Sequence, residues 1–396
     1  MSATAVPVLM YHSVGRVLDD WAWLELTVPA TVFEDHLKWL RRRGWQTASL
    51  YDFHAHTTGE RPLPERTVVL TFDDGYVDNW TYVAPLLEAY GFTGTVLVTP
   101  EFVDRRSLVR PTLADARAGR VNEDALDVRG FMTWDELREV SSSGALSVQC
   151  HALTHTWYPV SERVVDFHHP GDHVYWLDWN AHPEDKPDYL RAPGQSRVPW
   201  GTPVYEHAKS LASRRYFPDP EEGAHITGYV GANGGDDFFS SAEWRSTLTK
   251  ELESWRAAHG RAGRIETDDE RAARIDSELV TSREIIGREV GAPVDFLVWP
   301  GGGYDEQAME RARELYRAVT ISSADRWRFR NRPGENPGSI VRRGVPSLTA
   351  GGVSRFPGGR YLVEFLEEYA GSAGARRRRQ LMKLGYIAAG RAGLWR

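Results

Sequence analysis

Two adjacent carboxylates, Asp73 and Asp74, stand between the apolar run Thr67–Phe72 (TVVLTF) and Gly75. Side by side at the end of a buried strand, two ionised carboxylates repel each other unless something positive sits between them. One of such a pair can ligate a cation while its neighbour, held off the cation, takes a proton as general base. His151 and His155 follow a second apolar run, Leu146–Cys150 (LSVQC). At an i, i+4 spacing, one helical turn would bring both imidazoles to the same side, where neutral ring nitrogens bind a divalent ion. His12 follows a third run, PVLMY, and an acid titrating near neutrality is what a departing amine needs. Singly, each piece has a plainer reading: a solvated turn, a structural histidine pair, a packed strand-end histidine. Together, all at the carboxyl ends of predicted parallel strands, they read as one constellation.

The elements that must position these groups alternate between strand and helix. Residues 6–11 form a nearly continuous apolar run that suits a strand buried on both faces. A helix is predicted over 31–43, with Phe33, Leu37 and Leu40 at helical spacing and Gly44 to end it. After the strand 67–72 come a helix over 79–90, a strand over 93–98, and a helix over 133–142 with Thr133 and Glu136 as a capping box. The strand 146–150 follows. This alternation predicts an α/β fold with a parallel sheet or barrel. From 157 to 263 the rhythm breaks into Pro, Gly, His, Asp and aromatic residues with little clean periodicity, a loop-rich stretch of functional or subdomain character. His168, His169 and His173 lie there, either as exposed histidines or as a second metal site. Helix, strand and helix resume over 268–288, 295–299 and 306–316, and the last strands are predicted over 319–322 and 339–345.

The bulk numbers exclude more than they assign. With 396 residues, 41% hydrophobic and 26% charged, the chain can bury a full core. A formal net charge of -7 argues against nucleic acid as a partner. Its one cysteine, Cys150, forms no intramolecular disulfide and suits a reducing compartment. The start MSATAVPVLMYHSVG shows no signal-peptide pattern, and no stretch approaches the ~18 apolar residues of a membrane span. The expected location is therefore cytoplasmic. Arg376–Arg379 opens a basic, amphipathic end that carries Leu381, Met382, Leu384, Ile387, Leu394 and Trp395, which reads first as a solvated helix end and second as a peripheral contact with an anionic membrane. Fifteen tryptophans lean toward carbohydrate, whose C–H faces stack on flat rings.

The stretch Thr71-Phe72-Asp73-Asp74-Gly75, the pair His151/His155 and Trp299-Pro300-Gly301-Gly302 resemble the motifs of the NodB-homology polysaccharide deacetylases. Leu63-Pro64-Glu65-Arg66 and Met132-Thr133-Trp134 match the flanking text, and Met10-Tyr11-His12 resembles the poly-N-acetylglucosamine branch. The resemblance covers roughly residues 5–156 and 265–347. It implies a distorted (β/α) barrel of about seven strands in two parts, 1–156 and 265–350. The segment 157–264 would be an inserted substrate lid or wall, and 351–396 a helical basic tail. It implies one divalent metal, zinc first with cobalt, nickel or iron compatible, on Asp74, His151 and His155. Asp73 would be the base, His12 the acid toward the leaving amine, and the Gly301 backbone N–H an oxyanion donor, with Trp299 and Pro300 beside it. The substrate would be an N-acetylated sugar or glycan.

Three positions depart from the pattern. Ala152 replaces a Ser or Thr after the first histidine. Gly301 stands where a tyrosine is common, which keeps a backbone donor and loses a ring. The arginine that tethers the base aspartate is Arg343 or Arg342, in IVRRGV, with Arg343 taken as the catalytic one. Two other readings compete: a cyclic imide or ureide amidohydrolase on the same fold, and a carbohydrate-binding protein without turnover. The full constellation of Asp73, Asp74, His151, His155 and His12 favours the deacetylase over both.

Overall fold

The computed structural model describes residues 5–392 except 19–23, 192–195, 322–329 and 351. Its main sheet is entirely parallel. Along it run Ser339–Ile340, Ala318–Thr320, Phe296–Leu297, Leu146–Cys150, Gly94–Val98, Thr67–Phe72, Val8–Tyr11 and Arg342–Gly344, with Gln46–Thr47 added beside Thr67–Phe72. The two ends of this path, Ser339–Ile340 and Arg342–Gly344, are separated in sequence by Val341 alone. The sheet therefore curls back on itself. Counted as one strand broken at Val341, residues 339–344 close a barrel of seven strands, the number the motif resemblance implied. At the break, the Asn331 side chain stands in for a neighbouring strand. It accepts from Val341 N–H (3.0 Å) and donates to the carbonyls of Val341 and Val6 (2.9 Å each).

Side-chain alternation along the strands fills the interior. Val8, Val69, Phe296, Ala318 and Ile340, from five different strands, form one buried cluster with Leu50 and Phe53 of the helix Leu50–Thr57, which plugs one end. Such side chains stabilise the fold by about 1.5–3 kcal/mol each when fully buried. A larger cluster lies between the sheet and the outer helices Ala30–Arg42, Ala84–Tyr90, Trp134–Ser143 and Ser282–Val290. Gly91 ends its helix in the left-handed conformation (φ 66°), and Thr133 caps the next through the box with Glu136.

The segment after 156 corrects the loop-dominated expectation. Strand Trp157–Phe167 pairs antiparallel with Pro203–Lys209 in a bulged hairpin, and helices Pro220–Ala232 and Trp244–His259 pack on it. Phe167, Ile226, Val230, Trp244, Leu248 and Leu252 give this insertion a hydrophobic cluster of its own. Irregular register is what hid the hairpin: Val164 sits between two bulges that break the period-2 alternation. His168 is buried rather than exposed, bonded to Asp172 and Ser196 (2.8 Å each), and among the described residues His168, His169 and His173 form no group with metal-ligand spacing.

At the other end, Gly359–Tyr369 and Ala373–Arg391 form a helical pair, and Ser322, Leu394 and Trp395 lie outside the described residues. Arg376, Arg378 and Arg379 reach Glu364, Glu367 and Glu368 of the preceding helix. Most of the four-arginine charge is thus answered within the chain, which weakens the ground for a membrane contact. No helix among the described residues is long and apolar enough to cross a membrane.

Candidate active site

His12, Asp73, Asp74, His151 and Trp299 all sit just past the carboxyl ends of barrel strands. Tyr11 pairs with Phe72, so His12 and Asp73 leave neighbouring strands side by side, with His12 Nε2 3.9 Å from Asp73 Oδ2. Asp74 and Gly75 are both left-handed (φ 73° each), a turn that aims the two carboxylates into the barrel mouth rather than along the strand. His151 is anchored on both sides: its N–H donates to Val98 O, and its Nδ1 donates to Val298 O at 2.8 Å. Since a carbonyl can only accept, the neutral His151 ring carries its proton on Nδ1 and presents the Nε2 lone pair to the mouth.

That lone pair faces an acceptor. Asp74 Oδ1 stands 3.3 Å from Nε2 of His151 and 3.3 Å from Nε2 of His155, and it is buried with no hydrogen-bond partner. Lone pairs converging in a dry site repel unless a cation lies between them, so these three donors fit a divalent ion of the nitrogen–oxygen type. Burial pushes Asp74 up, but His155 and His151 outweigh it and hold the carboxyl below its usual range. Burial pushes His155 down to about 4, against the pull of Asp74, so its ring is neutral and free to ligate at neutral pH.

The histidine spacing works differently from the helical turn expected of it. Residues 151–156 are not helical; instead Ala152 (φ 59°) and His155 (φ 48°) are left-handed, and this double reversal brings the second imidazole back to Asp74. Among the described residues, one other His/acid group has ligand spacing, the partly exposed His182, Glu184 and Asp185, and Arg197 pairs with both of its carboxylates.

Of the two arginines, the structure puts Arg342 on Asp73. Its guanidinium is bidentate to Asp73, Nη1 to Oδ1 at 2.6 Å and Nη2 to Oδ2 at 2.8 Å, and Nη1 also donates to Thr71 Oγ1. Arg343, in register with Leu9 on the opposite face, lies 5.7 Å over the Tyr369 ring. Strand alternation decides this: Arg342 pairs with Val8, whose side chain fills the barrel, so the tether is Arg342 and not Arg343. Burial raises Asp73, and Arg342, then His151 and His12, bring it below the ordinary carboxylate range. Arg342→Met should therefore leave a buried charge unpaired and cost about 3–5 kcal/mol in urea denaturation, with activity lost. Arg343→Met should change both far less; equal effects would contradict the assignment.

A cavity of about 490 Å³ joins these groups to Trp299 and Gly301 on one wall and to Trp157, Tyr175 and Trp179 of the insertion on another. Pro300 is buried and does not line it. Trp299 is fixed by its indole N–H on Thr320 O. Of the three glycines that follow Pro300, the amides of Gly302 and Gly303 are spent on Trp299 O and Pro300 O. The place a side chain at 301 would take is filled from the insertion: a Cβ there would stand 1.3 Å from Lys209 Nζ, which donates to Gly301 O at 2.7 Å. The sequence showed the absence of a ring at 301 and gave no sign of this lysine. Nor did it single out Trp157 or Tyr175, whose rings lie 5.8 Å apart; the aromatic excess was the only signal.

Residues 60–197 match the polysaccharide deacetylase family model, the family the motifs resembled. The chain is 32% identical over 149 residues to a poly-beta-1,6-N-acetyl-D-glucosamine N-deacetylase of Escherichia coli (strain K12). That alignment covers 38% of this chain and 20% of the relative, so the chain spans about a fifth of that protein's length. Among solved structures, the BpsB deacetylase domain from Bordetella bronchiseptica superposes with a TM-score of 0.48 and 21% identity, over 86% of this chain and 96% of that one.

Proposed function

We propose, from the premise that residues 60–197 are a polysaccharide deacetylase segment, that this protein hydrolyses the acetamide of an N-acetylated amino sugar in a glycan. The observation that carries the reading is the pairing of two unlike carboxylates in one mouth. Asp74 converges on two histidine nitrogens, while Asp73 is turned away onto Arg342. That division suits one carboxylate to ligate and the other to move a proton.

Asp74, His151 and His155 would hold the metal, with zinc the first candidate for this donor set. When bound, such an ion polarises the amide carbonyl and acidifies water. Asp73, ionised and fixed by two bonds from Arg342, takes the proton from the attacking water. The Gly301 N–H, on the facing wall, is the donor for the developing oxyanion. His12, beside Asp73 and partly open to the cavity, gives a proton to the departing sugar amine, without which that amine is a poor leaving group. The rings of Trp157 and Tyr175 offer a stacking wall for the sugar's C–H face.

The relative named above acts, by its name, on poly-β-1,6-N-acetyl-D-glucosamine, and we take oligomers of that sugar as the first substrate to test. Acetate release should exceed that from the free monosaccharide. Trp157→Ala should raise KM for the oligomer through the lost stacking wall, with kcat less affected. Equal rates on monomer and oligomer, together with no KM change in that variant, would remove the glycan wall from the proposal.

A further inference from the structure

The three residues between the two histidines carry no ligating group, yet they are held from both sides. Glu278, 1% exposed in the π-helical segment Ser277–Thr281, accepts the N–H groups of Leu153 and Thr154 (3.0 Å each) and the Thr154 hydroxyl. Across from it, Lys186 of the insertion donates to Thr154 O at 2.8 Å and to the carboxylate of Glu101. The Glu101 N–H in turn donates to Leu153 O at 3.3 Å. Lys186 is only 1% exposed, and its ammonium lies 5.8 Å from the Trp179 ring that lines the cavity. Burial pushes Lys186 down and Glu101 up, each against the pull of its partner.

Buried ion pairs are weak contributors to stability, so the location of this one calls for another account. Thr154 O belongs to the peptide whose N–H is that of His155. Fixing that oxygen fixes the peptide plane before His155, and with it the left-handed φ of 48° that returns the imidazole to Asp74. A non-glycine residue in that region costs about 1–3 kcal/mol and persists only where its surroundings over-determine it. The Lys186 bond is one of the contacts that do so, and it comes from the insertion rather than from the barrel.

We propose that Lys186, opposed by Glu278, is a positioning residue that sets His155 toward Asp74, so that the 157–264 insertion is a working part of the metal centre and not only a wall over it. This rests on the metal-site reading above. With the lysine gone, the Thr154–His155 peptide is free to rotate toward right-handed or extended values, and the His155 ring swings off the common point. Asp74 and His151 do not depend on that peptide and keep their places.

The test is zinc titration of metal-stripped protein against a chromophoric chelator, with thermal melting in parallel, for wild type, Lys186→Met and Lys186→Met/Glu101→Gln. The single variant strands the Glu101 carboxylate and should melt early. The double variant removes both charges of the Lys186–Glu101 pair while Glu278 keeps its hydrogen bonds from Leu153 and Thr154, so it should melt closer to wild type than the single variant. Both should bind zinc about 10–100-fold more weakly, the scale of losing an outer-shell contact to a ligand. A double variant that melts normally and binds zinc as tightly as wild type would overturn the proposal. Wild-type protein that takes up no zinc would instead remove the metal-site reading, and this inference with it.

Discussion

Asp73→Asn is expected to lower acetate release by about 10²–10⁴-fold, the usual contribution of a positioned general base, while leaving the bound metal in place. The separation follows from the geometry. Asp73 gives both oxygens to Arg342, whereas Asp74 is the carboxylate that converges on His151 and His155. Asparagine keeps the shape and the hydrogen-bonding oxygen but cannot take a proton from water. The charge lost sits against Arg342, so some stability goes too, and rates must be compared well below the melting temperature. A pH profile adds a sign. Burial raises Asp73, and Arg342, His151 and His12 together more than reverse it, so the folded pKa lies below its usual value near ~3.9. The base is therefore ionised at every pH above about 4. Its contribution to stability is present above that point and lost as pH falls through the folded value. Any acidic limb of kcat/KM above about pH 5 must then belong to another group, and an acidic limb that vanishes only in Asp73→Asn would contradict this.

The second large effect is expected at a ligand. His155→Ala should abolish metal uptake at micromolar concentrations and reduce turnover to the background of the metal-stripped protein. It removes a direct donor, so the loss should exceed the ~10–100-fold that outer-shell changes cost. The fold should survive, because the His155 ring stands at the cavity with its side chain 16% exposed and supports no barrel strand. Metal analysis of the folded variant checks this. If His155→Ala keeps its metal and only KM changes, the imidazole is a substrate contact and the ligand set is wrong.

The candidate site residues were more legible in the sequence than the scaffolding that brings them together. Asp73, Asp74, His151 and His12 could be placed because each directly follows a run of apolar residues, and a parallel strand buried on both faces has no other simple reading. Thr133 and Glu136 announced their helix through a local capping box. The choice between Arg342 and Arg343 needed the register against Val8 and Leu9, which adjacent arginines in one short strand cannot supply. The two histidines do converge on Asp74, but through a left-handed turn where their spacing suggested a helical one, and the two turns share the same sequence interval. The insertion was least legible. Its hairpin is bulged, so the alternation that marks a strand is broken, and its contacts with the site include Lys186 and Lys209, two lysines with no motif around them. Long-range contacts of that kind leave no periodic trace along the chain.

Acetate release from an N-acetylglucosamine oligomer, followed together with metal content through chelation and reconstitution, tests the central claim most directly. The account predicts about one divalent metal per chain, loss of acetate release when a chelator removes it, and return of activity with zinc or another ion suited to two histidines and a carboxylate. A protein that takes up no zinc, cobalt, nickel or iron, or that releases acetate equally well without them, would contradict it.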